Sequence, residues 1–242
     1  MPKLLITIPC YNEELILEKS VKKVIEYAEK NLAEYDWKFL IIDNASKDKT
    51  YEIACRLRDC DPRIMVDRIM DPGRGVAIRK DWALHGEFDI YSYMDADLAT
   101  DLKDYAFLVS RIKEGYDLAT GSRYLREADI KRNFKREMLS RIYNLIIKIV
   151  LGVKFKDAQC GFKAFSCRLV AELMPQTTDP GWFWDTELMI LAQRKGYKTL
   201  EIPVSWREIR DELRKSKVSH WEEAVRQLKN IYNFYKRLKK NG

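Results

Sequence analysis

The chain has 242 residues, 46% of them hydrophobic and 33% charged, enough to bury a large core and too mixed for a disordered or fibrous class. No apolar run reaches membrane-spanning length, since Leu145–Leu151 is short and broken by Lys148. The net charge of +7 is concentrated at the end, where Arg207–Gly242 holds eleven Lys or Arg against five Asp or Glu, which suits an anionic partner such as phosphate, lipid headgroup or nucleic acid.

In chain order, Lys3–Pro9 reads as a strand and Glu13–Leu32 as a helix with Leu17, Val21, Val24, Ile25 and Ala28 on one stripe. Strand Lys38–Ile42, helix Asp48–Arg58, strand Arg63–Ile69, helix Ala77–Leu84, strand Phe88–Met94, helix Leu102–Glu114 and strand Asp117–Gly121 follow. This alternation predicts an α/β fold with a mostly parallel, Rossmann-like central sheet flanked by helices. Such sheets bind ligands at the C-terminal ends of their strands. The start at Lys3–Ile8 shows no signal peptide, so the expectation is a cytoplasmic protein, peripheral on the cytoplasmic membrane face. The five cysteines include no C-x-x-C pair, and with two histidines they predict free thiols and no zinc site.

Polar residues collect at the strand ends. They are Pro9-Cys10-Tyr11-Asn12-Glu13, Asp43-Asn44-Ala45-Ser46-Lys47-Asp48, Gly73-Arg74-Gly75, Asp95-Ala96-Asp97 and Gly121-Ser122-Arg123-Tyr124. In extended backbone, residues i and i+2 point the same way, so Asp95 and Asp97 share one side of a strand end. Carboxylates so placed suit a hard divalent cation whose shell is completed by phosphate and water. The alternative is that Asp97 or Asp101 caps the helix starting near Asp101. The Gly73-Arg74-Gly75 run lacks the third glycine of a dinucleotide fingerprint and follows the third strand, and no Walker A pattern occurs.

Together these motifs resemble the signatures of family 2 glycosyltransferases of the GT-A fold, in the same order, over about the first half of the chain. The resemblance implies inverting transfer from a nucleotide sugar with Mg²⁺ or Mn²⁺. Asp97 and Asp95 would be the metal ligands. Pro9, Tyr11, Asn12, Glu13, Asp43, Asn44, Ser46, Gly73, Arg74, Asp95 and Ala96 would surround the nucleotide sugar. Two positions depart from the pattern. Asn44 stands where a second aspartate is common, and Ala99 stands where the mannose-transferring relatives carry a glutamine. The run Asp157–Phe165, with Cys160 and Lys163, resembles the dolichyl-phosphate glucosyltransferases more than their mannosyl relatives. Cys160 reads as packing and not as a nucleophile.

The second half opens on the basic stretch Arg126–Arg141 and an apolar helix with Met138, Leu139, Ile142, Leu145 and Ile149. That helix is either a core helix with a solvated start or a guide for a lipid tail. A glycine between aromatics, Gly161, suggests close backbone approach. Asp185 and Glu187 either favour a helix N-terminus or lie near the sugar. No Q-x-x-R-W run of processive synthases occurs, which implies a single transfer. Ser216-Lys217 resembles the family's Ser-Lys pair. The last helix, about Val218–Leu238, places Trp221, Val225, Leu228, Tyr232 and Tyr235 on one stripe. It is expected to pack on the domain with membrane contact at its basic edge.

The expectation is therefore a single domain over residues 1–242, with a nucleotide-sugar half at 1–124 and an acceptor half at 125–242. It would move a hexose, UDP-glucose before GDP-mannose, onto a polyprenyl (dolichyl-type) phosphate. Asp97, Asp95 and Arg123 form the catalytic set. Arg123, Arg136, Ser140, Gln159, Gly161, Lys163 and Lys217 form the acceptor set. A phosphate monoester has its second pKa near about 6 and attacks without a base, so the scarcity of histidine fits. Two other readings remain: a soluble glycosyltransferase acting on a glycan or small-molecule hydroxyl, and a non-catalytic nucleotide- or anion-binding protein. No recognised nucleic-acid motif occurs, so no nucleic-acid partner is expected.

Overall fold

The computed structural model describes residues 1–131, 133–208 and 220–240, with every side chain in those spans except Lys135, Arg136 and 220–225. The elements in chain order are β1 (Lys3–Cys10), α1 (Leu17–Asn31), β2 (Asp36–Asp43), α2 (Thr50–Cys60), β3 (Ile64–Arg68), α3 (Arg74–Leu84), β4 (Ile90–Met94), α4 (Tyr105–Lys113), β5 (Leu118–Ser122), β6 (Asp129–Lys131), α5 (Phe134–Leu151), β7 (Phe162–Ser166), α6 (Cys167–Leu173), α7 (Trp184–Arg194), β8 (Thr199–Pro203), β9 (Ser205–Arg207) and α8 (His220–Lys240).

Seven strands form one sheet in the order β3-β2-β1-β4-β7-β5-β8. Strands β1 to β4 run parallel, as do β5 and β8, while β7 is antiparallel to both neighbours. The central strands are apolar on both faces because both are covered. Leu5, Leu40, Ile42 and Tyr93 enter one core, and Leu4, Ile6, Ile8, Phe39 and Ile41 enter the other.

Several features depart from the pattern read in the sequence. Helix α1 begins at Leu17 and not at Glu13, because residues 11–16 form a loop tied to the end of β2. Asn12 N donates to Ser46 Oγ at 2.9 Å, and Glu13 N donates to Thr50 Oγ1 at 2.7 Å. Strand β7 lies almost wholly within a run taken only as a motif, Asp157–Phe165, and helix α6 lies beyond it, unread. The run Glu201–Glu208, which resembles the family's closing strand, divides into the end of β8 and the three-residue β9, and β9 pairs in parallel with β6, too short at three residues to be read.

The inner face of α8 is also rotated from the expected stripe. Ile231 and Phe234 are buried and Tyr235 and Leu238 pack beside them, while Leu228 and Tyr232 face outward. Three contacts hold that rotation: Phe234 lies edge-on to Phe183 with centroids 5.9 Å apart, Asn230 Nδ2 donates to Asp179 Oδ2 at 2.7 Å, and Arg237 pairs with Glu187 at 3.1 Å. The side chains of Trp221 and Val225 lie outside the described residues.

Helix α5 is not the core helix that its composition allowed. Its inner face carries Ser140, Asn144, Ile147 and Leu151, and its outer face exposes Phe134, Met138, Leu139, Ile142, Leu145 and Ile149. Polar side chains turn inward because they have partners there. Asn144 Oδ1 accepts from Ala158 N at 2.9 Å, and Ser140 Oγ donates to Gln159 Oε1 at 2.7 Å. Among the described residues no helix is long and apolar enough to cross a membrane.

Candidate active site

The C-terminal ends of β1, β2 and β4 meet at one edge of the sheet. Each is followed by a residue in the left-handed region: Asn12 at φ 54, Ala45 at φ 58 and Leu98 at φ 50. Non-glycine residues seldom adopt that backbone, and such strain collects at functional sites. The strain is held by hydrogen bonds between loops, including Asn12 Oδ1 accepting from Lys47 N at 2.7 Å.

Asp95 leaves the end of β4 and accepts from Arg74 Nη1 at 2.6 Å. Arg74 opens α3 after Gly73, whose φ of 125 and close approach to the Pro180 carbonyl leave no room for a side chain. Gly75 N donates to Pro180 O at 2.9 Å, so the glycine run docks on the loop before α7. The Arg74 guanidinium lies between two rings, with its carbon 4.9 Å from the Tyr93 centroid and 4.6 Å from that of Trp182. Burial would lower its pKa, but Asp95 outweighs that and keeps it raised. Among the described residues its Nε and Nη2 are buried with no hydrogen-bond partner. Those two donors are unspent within the rim.

Asp97 follows on the same turn. Its Oδ1 accepts from Ala99 N at 3.1 Å. The helix-capping role belongs to Asp101, whose side chain accepts from Lys103 N at 3.0 Å. Asp97, with Asp95 beside it, fits a divalent ion that carries a diphosphate: the carboxylates offer hard oxygen, and Arg74 offers the second positive charge. Ala96 is buried between them and Pro9 is half-buried at the end of β1, while Tyr11 stands exposed and Glu13 half-buried on the rim.

At the end of β2, Asp43 is fully buried. Its Oδ2 faces Arg68 Nε at 3.0 Å, and its Oδ1 has no hydrogen-bond partner. That orphaned acceptor suits the N–H of a nucleobase. Asn44 and Ser46, expected at the nucleotide, are drawn into the scaffold. Asn44 Nδ2 donates to Ile69 O at 3.0 Å and Asp71 O at 2.7 Å, and its Oδ1 accepts from Gly73 N at 2.9 Å. Ser46 Oγ accepts from Asn12 N. An aspartate could not donate to the two carbonyls, which explains the amide at position 44.

Around the loop 157–161 the structure brings together Arg123, Ser140, Gln159, Gly161 and Lys163. Two of these differ from their expected use as free cations for an acceptor phosphate. Arg123 forms a buried fork on Asp157, with Nε 2.7 Å from Oδ2 and Nη2 2.9 Å from Oδ1. Burial would raise the Asp157 carboxyl, but Arg123 outweighs it and holds the group below its ordinary value. Lys163 is fully buried, with Nζ 2.6 Å from Asp185 Oδ2 and 2.5 Å from Cys160 O. Both charges were bound to find buried partners because a lone buried cation is too costly. They position the loop from beneath. Burial pushes the Cys160 thiol up to about 12, in keeping with packing. Asp185 pairs inward, and Glu187 accepts from Thr178 N at 2.6 Å and Asp179 N at 3.0 Å. The Arg136 side chain and the Ser216-Lys217 pair lie outside the described residues.

The ring sandwich on Arg74 and the Arg68–Asp43 pair were missed in the sequence. Trp182 was visible in the Trp182-Phe183-Trp184 run, but nothing local tied it to a residue more than a hundred positions earlier.

Comparison with known proteins bears on the whole arrangement. The chain is 38% identical over 207 residues to the glycosyltransferase AglD of Haloferax volcanii, covering 83% of this chain and 32% of that protein. It therefore spans about a third of that relative's length. It is 31% identical over 241 residues to the dolichyl-phosphate beta-glucosyltransferase ALG5D of Trichomonas vaginalis, covering 95% of this chain and 72% of the relative. Among solved structures, glucosyl-3-phosphoglycerate synthase from Mycobacterium tuberculosis with UDP superposes at a TM-score of 0.66 and 18% identity, over 97% of this chain and 80% of that one. The same synthase with Mn²⁺, UDP and phosphoglyceric acid superposes at 0.65 and 18% identity, over 96% and 77%. The shared architecture is the GT-A fold. The sequence pattern of "Glycosyl transferase family 2" matches residues 5–174, and the chain belongs to that family of glycosyltransferases.

Proposed function

We propose that this glycosyltransferase, a single domain over its 242 residues, moves glucose from UDP-glucose to a polyprenyl (dolichyl-type) phosphate with inversion. Mannose from GDP-mannose is the next candidate. The dolichyl-phosphate glucosyltransferases among its relatives support the sugar and the lipid. The observation that carries the lipid acceptor is the inverted face of α5, where Phe134 is 78% and Ile149 73% exposed. An apolar stripe this long on a soluble surface marks an interaction site. Arg141 and Lys148 on α5, and Lys236, Lys239 and Lys240 on α8, add basic charge beside it. In this reading the two packed helices rest on an anionic membrane, peripheral to its cytoplasmic face, with the isoprenoid against α5.

Mg²⁺ or Mn²⁺ would be held by Asp97, with Asp95 close by, and when bound it neutralises the departing nucleoside diphosphate. Asp43 Oδ1 accepts from the base. Arg74 donates its spare Nε and Nη2 protons to the anionic donor, fixed by Asp95, Tyr93 and Trp182. Arg136 remains the cation proposed for the acceptor phosphate, and Arg123 acts through Asp157 as a positioning group. The phosphate oxygen is anionic at neutral pH, so the chain's task is orientation and charge placement.

The test incubates the protein with labelled UDP-glucose or GDP-mannose and either polyprenyl phosphate or soluble hydroxyl acceptors. The expected product is a glucosylated lipid phosphate. Transfer only to soluble acceptors would overturn the reading. In parallel, Leu145→Lys with Ile149→Lys should abolish flotation with anionic vesicles.

A further inference from the structure

A second polar cluster lies outside the candidate active site, where β3 meets the far end of α3. Asp67 is the penultimate residue of β3. Asp81 sits in the last turns of α3, and His85 follows four positions later on the same face. One ligand atom from each of Asp67, Asp81 and His85 lies within 4.8 Å of the others. His85 Nε2 is 3.0 Å from Asp67 Oδ2.

Two carboxyls this close repel unless a proton or a cation lies between them. Asp81 is 0% exposed, and among the described residues no N–H or hydroxyl donates to either of its oxygens. Among the described residues no Lys or Arg pairs with Asp67 or Asp81; the neighbouring Lys80 pairs with Asp71 instead. Burial and the facing Asp67 push the Asp81 carboxyl up to about 9, so in the empty site a proton stands between the two acids where a cation would bind. Proteins normally supply one as an arginine, as they do here for Asp157.

The surroundings match a metal centre. Glu87 Oε1 lies 3.9 Å from His85 Nδ1, on the far side of the ring from Asp67. A carboxylate behind the second ring nitrogen is how ligating imidazoles are oriented. Tyr91 Oη donates to the His85 carbonyl at 2.5 Å and fixes the residue's backbone. Asp67 and His85 are part-exposed, leaving an entry path and room for water ligands. One imidazole and two carboxylates suit a first-row transition ion, whereas Mg²⁺ prefers oxygen alone.

We propose that Asp67, Asp81 and His85 bind a divalent first-row transition ion, Zn²⁺ in the first instance, which bolts strand β3 to helix α3. The site shares no ligand with the Asp95-Asp97 rim.

The test uses the full chain carrying Asp97→Ala, so that rim binding does not contribute. Zn²⁺ is titrated by calorimetry, and thermal unfolding is followed with Zn²⁺ or Mg²⁺ at about a hundred times the measured Kd. One equivalent of Zn²⁺ should bind and raise Tm by roughly 5–10 °C, while Mg²⁺ should not. Asp81→Asn and His85→Gln, each on that background, should weaken Zn²⁺ binding at least tenfold. Co²⁺ in place of Zn²⁺ should show no thiolate charge-transfer band, which separates this site from the exposed cysteines. No binding by the Asp97→Ala protein, equal binding by the His85→Gln variant, or a thiolate band would overturn the proposal. His85 is part-exposed, so its variant remains informative if Asp81→Asn fails to fold. In the wild-type background both variants should keep the transferase activity, so failure here leaves the lipid assignment untouched.

Discussion

The α-carbon of Gly161 lies so close to Asp95 that an added Cβ would stand 2.2 Å from Oδ2 and 2.6 Å from Cγ. This contact exists because β7 runs antiparallel to β4, pairing Phe162 with Met94 and delivering Gly161 to the end of the neighbouring strand. Asp95 N donates to Gly161 O at 3.2 Å, which closes the junction. Gly161→Ala should push the carboxylate away from Arg74. Steady-state kinetics should show a loss of about 100-fold in kcat/KM, the scale of a 1 Å misplacement, with unchanged circular dichroism. A wild-type rate would mean the position of Asp95 does not matter.

Arg74 offers two unpartnered donors to an anion, and a lysine can offer only a point charge. Arg74→Lys should therefore raise KM for the nucleotide sugar by roughly tenfold, the loss of one charge-assisted hydrogen bond. The KM for the acceptor should stay within a factor of two or so. Kinetics with each substrate varied in turn measures the split.

Asn44 joins three backbone groups between residues 69 and 73 through one amide. Asn44→Asp, although it restores a common family pattern, sets an anionic oxygen against two carbonyls. Chemical denaturation should show a loss of about 1–3 kcal/mol. An unchanged midpoint would show that the loop does not depend on the amide.

The Asp157 carboxyl is held below its ordinary value by Arg123, so its contribution to stability has a defined sign. Folding favours the ionised form. The contribution is complete above the unfolded carboxylate range, near about 4, and is lost as pH falls through the lower folded value. Asp157→Asn should cost about 3–5 kcal/mol at neutral pH by stranding a buried guanidinium. Its urea midpoint should fall less steeply than the wild type's below about pH 4. Parallel pH profiles would show that the pair does not govern the acid limb.

Much of the nucleotide-sugar half could be read directly. Strands β1 to β5 are apolar runs with polar ends, and the rim motifs fall at those ends. Asp95, Asp97, Asp43 and Arg74 were named from them, and Arg74 pairs with Asp95 at 2.6 Å. Strand β7 could not be read as an insertion between β4 and β5, because its five residues carry no signal of which strands they will pair with. The inward face of α8 departs from its expected stripe for a related reason. Periodicity identifies an apolar stripe, but not whether that stripe meets protein or something else.

By itself the sequence determined the order of strands and helices, the rim of carboxylates around Asp95-Ala96-Asp97, and the resemblance that points to sugar transfer. Those follow from local periodicity and spacing, which act within a few residues. Tertiary structure alone decided which charges remain for a ligand. Arg123 and Lys163 look in sequence like any basic residue near a motif, yet their partners Asp157 and Asp185 come from 34 and 22 positions away and consume them in the core. Arg74 keeps Nε and Nη2 without a hydrogen-bond acceptor, and Asp81 is left facing another acid, Asp67, because among the described residues no complementary group packs against them. Whether a charge is spent or spare depends on what packs against it, and that is fixed only when distant segments meet.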